Sequence, residues 1–434
     1  MADLQTIKSE LAIIGTGFAG IAAAVFASRN GITTSQIGVS GGILYASGYF
    51  DLMGVHPVKE QKVWNNPWDA IDALIKDVPL HPYARLSKAD IRESMDQFVG
   101  FLNETGLPYK KEDDRNVSVI TPIGTVKPTY CVPASMWNGV AALLDERPML
   151  IVDFWGLKGF SAMQITEMLT QNGRANLRAV RIPFPSVDLS TDLFPERMAW
   201  SMEVEENIVK LADEIRPHLN GAQVIGLPAI LGIHRTETIM SGLKDLLGCD
   251  IFEIPTIPPS ITGLRIKEKA ETTLPQRGVH LFSQKRVVSV KSGKNGGFVL
   301  DVGDRATGEP EHRIEADGVI LASGRFLGMG LHAGRKNIQE TLFDLTVFQP
   351  GDRSDWHQKD FFDSRGHEIN QAGIEIDETF RPVGIDGKPV FDNLFAAGSI
   401  LAHQDWIRQK CGAGLAVSTA YAAVRSFMKQ VKNR

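Results

Sequence analysis

Cysteine is scarce in this chain. Its 434 residues hold three, Cys131, Cys249 and Cys411, and no two of them share a C-x-x-C spacing. Three scattered thiols cannot by themselves hold an iron–sulfur cluster or a usual zinc site, so no metal site is expected, and an odd count fits a reducing compartment. A charge excess is missing too. Lys and Arg number 46 against 51 Asp and Glu, a formal net charge of −5 with no basic cluster. That balance argues against nucleic acid as the main partner. Nor does any run approach the roughly 20 apolar residues that a membrane span requires. The opening MADLQTIKSE is polar before it enters a strand, so no signal peptide is expected. These absences predict a cytoplasmic protein with no direct membrane span. What is present is ample apolar matter, 43% of the residues, on a length that suits two or three domains.

Along the chain, residues 10–39 read as strand (ELAII), glycine turn (GTGFAG), helix and second strand (QIGVS), one βαβ unit. Residues 67–105 carry apolar side chains at helical spacing, and SVITPIGTVKPTYCV is β-rich. From 148 to 258 strands alternate regularly with helices, the pattern of a parallel α/β layer. From 279 the chain is mostly β, and it closes on a glycine-opened helix, GAGLAVSTAYAAVRSFMKQV. The expected fold is α/β: a Rossmann-like two-part flavoprotein domain of the FAD/NAD(P)-binding type, formed by 1–147 and 265–434, with an inserted α/β domain at 148–264.

The turn Gly15-Thr-Gly17-Phe18-Ala19-Gly20 sits between a strand and a helix, with a second strand on cue. In that context it is a dinucleotide-type phosphate loop: Gly15 makes the tight turn, Gly17 admits the phosphates and Gly20 lets helix and strand pack. The helix start offers amides and partial positive charge to an anion. The acid that should hold a ribose about 20 residues on is absent; Ser40 and Gly41 stand there instead. Ser47 and Gly48 are small enough to let a ligand approach, and Asp51 suits a ribityl hydroxyl, although Ser47 and Asp51 also suit helix caps.

Two later segments, ADGVILASGRF (316–326) and DNLFAAGSIL (392–401), share one design, an apolar strand followed by small residues. Simple nicotinamide enzymes do not need such strands. Two-part flavoprotein folds do, because these strands return beside the first βαβ unit and must clear the cofactor. Ser323, Gly324, Gly398 and Ser399 are the candidates. Gly412 and Gly414, at the start of the last helix, would bring amides to the edge of a reduced flavin that carries negative charge.

The residues ASGYFDL (46–52), HPY (81–83), TPIGT (121–125), IPTIPPSITGLRI (254–266), DWHQKDFF (355–362), GIEIDETFRP (373–382), NLFAAGSIL (393–401) and QKCGAG (409–414) carry a family resemblance over nearly the whole length. The chain resembles the B-subunit family of anaerobic glycerol-3-phosphate dehydrogenase, whose wider relatives are the flavoprotein subunits of fumarate reductase and succinate dehydrogenase. The resemblance implies FMN as cofactor, with FAD as the alternative. It implies oxidation of glycerol 3-phosphate to dihydroxyacetone phosphate beside a second flavoprotein subunit. A third, iron–sulfur subunit would anchor the pair peripherally on the inner face of the cell membrane and pass electrons to quinone. Arg265, in the most distinctive segment, is the expected phosphate contact, since a guanidinium grips phosphate in a fork. Arg325 would face flavin or substrate, and His403 or His367 would be the base. His403 departs from the family pattern, standing where a small residue is expected. The competing readings are an electron-relay or scaffold flavoprotein without its own substrate site, another fumarate-reductase-like flavin oxidoreductase, and a nicotinamide enzyme.

Overall fold

The computed structural model describes residues 4–39, 42–186 and 192–432. Two compact units divide the chain: Met1–Ile43, Phe50–Thr105 and Lys269–Arg434 form the first, Leu44–Tyr49 and Gly106–Glu268 the second.

The first unit is built on a seven-stranded sheet. Its order is Val279–Ser283, Thr34–Gly38, Gln5–Ile14, Pro310–Leu321, Phe298–Asp304 and Lys285–Ser292, with Leu394–Ala396 also paired to Pro310–Leu321. The strands up to Pro310–Leu321, and Leu394–Ala396, run parallel; the other two pair antiparallel. The run LAII is buried throughout, as a parallel strand covered on both faces requires. Register sets the strand ends side by side: Ile14 lies opposite Leu321, and Leu321 opposite Ala396. The helix Phe18–Arg29 buries every residue from Ala19 to Ala27, which its AAAVFA composition allows all round. The closing helix Gly412–Lys432 packs against it, with Tyr421 edge-on to Phe26 at 5.2 Å. The stretch expected to be helical at 67–105 forms Pro67–Asp77 and Lys88–Glu104. Asn66 and Ser87 supply the side-chain N-caps, each accepting from backbone N–H groups of the first turn.

The second unit holds a parallel four-stranded sheet in the order Asp250–Ile254, Val224–Pro228, Met149–Phe154, Leu177–Ile182. Its boundaries fall at 105/106 and 268/269, where the alternation of elements suggested 147/148 and 264/265. The physical reason is packing. Ile120, Ala142 and Leu143 share one buried cluster with Met149, Ile151 and Phe252 of the sheet. A Cβ at Gly139 would lie 2.4 Å from the Phe252 ring, so this β-rich piece and its helix, Trp137–Leu144, pack onto the layer. Two helices that periodicity did not reveal are present, Pro195–Met202 and Ile261–Gln276.

Candidate functional site

Parallel sheets present ligands at the carboxyl ends of their strands, and here three such ends emerge together. The glycine turn leaves Ile14, the Ser323-Gly324 pair leaves Leu321, and Gly398-Ser399 leaves Ala396. Gly15 has φ +134°, and a Cβ there would lie 2.2 Å from the Ala322 carbonyl oxygen and 3.3 Å from the Ser323 nitrogen. Only glycine fits that turn. A Cβ at Gly398 would lie 2.5 Å from the Ala19 Cβ. The Gly398 N–H donates to Thr419 Oγ1 at 2.8 Å, and Thr419 in turn donates to the Leu415 carbonyl at 2.6 Å, which ties the closing helix to the same edge. The Gly414 N–H donates to the Asp51 carbonyl at 2.8 Å. Segments from both ends of the sequence therefore meet.

The glycines at this edge fall into two kinds. Gly15, Gly20, Gly398, Gly412 and Gly414 are small because protein atoms press on them. A Cβ at Gly20 would meet the Gly15 carbonyl at 2.1 Å, one at Gly412 the Trp406 ring at 2.8 Å and one at Gly414 the Tyr83 hydroxyl at 2.6 Å. Among the described residues, Gly17 has nothing within 4 Å of that position, and Gly324 meets nothing closer than Ser399 Oγ at 3.6 Å. Beside them stand two buried hydroxyls, Thr16 Oγ1 and Ser323 Oγ, that make no hydrogen bond to a described residue. Buried polar atoms left without a protein partner need an external one. Open backbone at Gly17 and Gly324, next to two unsatisfied hydroxyls, fits a polar cofactor lying along the strand ends.

Other expected site residues are placed differently. Arg265 belongs to the second unit and is 4% exposed. It donates to Glu253 at 2.6 and 2.9 Å and to the Gly232 carbonyl at 2.9 and 2.6 Å, so its fork is taken up and it is not a phosphate contact. Arg325 donates to the carbonyls of Asn370, Leu401 (3.1 Å) and Gln404 (2.9 Å) and staples the loop after Ser399. Burial lowers its pKa to about 10, with Asp405 and Cys411 opposing, so it remains a cation. His367 accepts at Nδ1 from the Gln358 N–H (3.1 Å), and its Nε2 lies 3.0 Å from the Phe361 carbonyl oxygen, a loop-pinning role rather than a base. His403 pairs with Glu375 at 2.7 Å and faces a pocket. Phe18 turns its ring to Phe50 and Phe98, at 5.0 and 5.6 Å. Asp51 is not a helix cap; its carbonyl receives the Gly414 N–H, which removes that amide from the donors expected at the closing helix. Ser47 accepts from the Tyr49 N–H at 3.3 Å in a local turn, and it and Gly48 belong to the second unit. Ser40 and Gly41 lie outside the described residues. Sequence reasoning passed over Thr16, although it lies inside the glycine motif, and Arg85, two residues after HPY.

Under the closing helix, burial governs the titratable groups. It pushes the Cys411 thiol well above its ordinary value, helped by Asp51 and Asp405 against Arg325, so the thiol stays protonated and inert. His81 is fully buried and its Nδ1 accepts from the Tyr83 N–H at 3.1 Å, which requires a neutral ring. Burial lowers its pKa from 6.5 to about 3, partly offset by Gln409 and reinforced by His56 and His403. Above pH 6.5 the ring is neutral in both folded and unfolded chains. Below it the unfolded chain binds the proton first, so stability falls by about 1.4 kcal/mol per pH unit down towards the folded value. Denaturant midpoints from pH 7 to 4 should therefore drop less steeply for His81→Gln than for wild type. Parallel curves would refute this.

The FAD binding domain family model matches residues 10–415. The probable B-subunit of anaerobic glycerol-3-phosphate dehydrogenase from Halobacterium salinarum is 31% identical over 432 residues, covering 96% of this chain and 97% of its own. The B-subunit of anaerobic glycerol-3-phosphate dehydrogenase from Vibrio vulnificus is 29% identical over 432 residues, covering 97% of each chain. Among solved structures, 3-ketosteroid delta1-dehydrogenase from Sterolibacterium denitrificans aligns over 97% of this chain and 99% of its own, at 12% identity and a TM-score of 0.44. The matched family is described by FAD, so FMN, the cofactor expected first, gives way to its alternative. No helix among the described residues is long and apolar enough to cross a membrane. The chain is a Rossmann-like flavin oxidoreductase that belongs to the FAD binding domain family and, within it, to the B-subunit family of anaerobic glycerol-3-phosphate dehydrogenase.

Proposed function

We propose that this chain is the FAD-holding subunit of a glycerol-3-phosphate dehydrogenase that works in a multi-subunit assembly. The observation that carries the flavin reading is the pair of open glycines, Gly17 and Gly324, flanked by the unsatisfied hydroxyls of Thr16 and Ser323. The substrate comes from the names of the relatives. The Gly15–Gly20 turn and the amides of Phe18 and Ala19 would hold the pyrophosphate at the helix start. Ser323 and Gly324, with Ser399 beside them, would border the ring system. Gly398 and Gly414 support the cradle by packing rather than by touching the ligand. A bound flavin supplies the acceptor for a hydride taken from the alcohol carbon. The ribose acid is not replaced by another carboxylate in the sequence at 39–42, so the adenosine end must rely on backbone and hydroxyl contacts. Onward transfer to quinone through an iron–sulfur subunit at the membrane surface belongs to the same proposal.

Three expected catalytic side chains, Arg265, Arg325 and His367, are engaged in structural bonds. That favours a second reading, in which the chain relays electrons while its partner carries the substrate chemistry. One experiment separates the two. The chain is purified anaerobically with its co-expressed neighbours, its released cofactor is weighed, and reduction of an artificial dye by glycerol 3-phosphate is followed for the assembly and for the chain alone. Released FAD with turnover by the chain alone supports the first reading. Turnover by the assembly only supports the relay, and a colourless protein overturns both.

A further inference from the structure

We propose that a pocket in the first unit, walled by Arg85 and His403, takes the phosphate end of a small phosphorylated polyol. The inference rests on the oxidoreductase reading above and supplies the anion contact that Arg265 cannot. The pocket has a volume of about 290 Å³ and lies between the HPYAR turn, the Ile374–Glu378 segment and Ala402-His403. Its wall carries two polar pairs, the ion pair of Arg85 with Glu378 and the hydrogen bond of His403 with Glu375.

In each pair the nitrogen partner is the fixed half. The Arg85 side chain is 22% exposed against 71% for Glu378, and that of His403 is 11% exposed against 41% for Glu375. The His403 ring packs on Phe348 at 4.1 Å, and its backbone N–H donates to the Gln371 carbonyl at 2.9 Å. His403 also holds φ +61°, a conformation that a side-chain-bearing residue adopts at a cost and that clusters at functional sites. The carboxylates, by contrast, reach back from solvent. Glu378 and Glu375 are the solvent-exposed halves, and a contact to an exposed carboxylate contributes little to stability, so both can swing away cheaply. A phosphate that replaces them gains charge-assisted bonds from a preset guanidinium and imidazole. The third carboxylate on the wall, Asp377, is already neutralised by Arg381 at 2.8 Å and does not repel an anion. Leu80, Ile374, Ile376 and Val383 line the rest and can pack only against the C–H groups of the ligand.

The two halves of one ion pair then act with opposite sign. Arg85→Gln should weaken glycerol 3-phosphate binding roughly 10- to 100-fold, the worth of a charge-assisted contact. Glu378→Gln removes the competing carboxylate and should tighten it about 2- to 5-fold. Calorimetric titration of the full purified chain measures both, with inorganic phosphate and glycerol as further probes. Glycerol 3-phosphate should bind more tightly than inorganic phosphate, and glycerol should not bind measurably. Both variants should melt close to wild type, because the Glu378 half of the pair is exposed and such a pair contributes little to stability. The pocket is overturned if the wild-type chain binds no glycerol 3-phosphate, if Arg85→Gln binds it unchanged, if Glu378→Gln weakens it, or if inorganic phosphate binds as well. Dye reduction by the assembly distinguishes the two levels. Normal turnover with an Arg85→Gln chain sinks the pocket and leaves the function; Arg85-dependent binding without any turnover sinks the function and leaves the pocket.

Discussion

Gly17→Val should give a folded chain that purifies without flavin. Gly17 caps the helix Phe18–Arg29 with extended backbone, φ −79° and ψ −171°, a conformation in which valine is at ease. A Cβ there meets no atom of a described residue within 4 Å. The fold loses only a capping preference, on the order of 1 kcal/mol. The branched side chain instead fills the space through which phosphates would approach the Phe18 and Ala19 amides. Flavin absorbance per chain should fall at least about tenfold, the equivalent of about 1.4 kcal/mol in cofactor affinity, while the melting temperature stays close to wild type. Gly15→Ala should behave in the opposite way. There the new Cβ is driven to 2.2 Å from the Ala322 carbonyl at φ +134°, and the cost is on the order of 3 kcal/mol or more in folding itself. Comparing melting curves with flavin content separates a glycine kept for the ligand from one kept for the turn. Full flavin occupancy in Gly17→Val would show that the cofactor does not pass this point.

That contrast explains how much the sequence could disclose. The βαβ start and the later alternation of strands and helices were legible because apolar periodicity and glycine punctuation are local properties. The second unit's true extent was not, because the decision lies in tertiary packing: Gly139 receives the Phe252 ring from more than a hundred residues away. Site residues follow the same division. The glycine motif and the Ser323-Gly324 and Gly398-Ser399 pairs could be found because strand ends must be small. Which glycines face open space and which face protein is invisible in a one-dimensional pattern. Thr16 was hidden by its ordinary type, and Arg85 by the more conspicuous HPY before it. Arg265 drew attention through a distinctive neighbourhood, yet what makes that neighbourhood distinctive is a buried ion pair whose other half, Glu253, lies on a strand twelve positions earlier.

Arg265→Met should destabilise the second unit severely. Glu253 is 1% exposed, and Arg265 is its charged partner in the pair, the Leu231 N–H at 2.9 Å being a neutral one. Removing the guanidinium leaves a carboxylate in the interior and also frees the Gly232 carbonyl, which receives two of the Arg265 bonds. Breaking a buried pair from one side costs about 3–5 kcal/mol, whereas replacing both halves with apolar groups of similar size is often neutral or better. The double variant Glu253→Leu/Arg265→Met should therefore recover most of the loss in a denaturant titration, and the coupling between the two substitutions should be positive and of the same order. An anion contact would give another pattern. Arg265→Met would then weaken glycerol 3-phosphate binding with little change in folding, and the double variant would recover nothing. Stability and ligand affinity measured on the same three proteins decide between the roles, and the bond pattern around Arg265 requires the first to move and the second to stay.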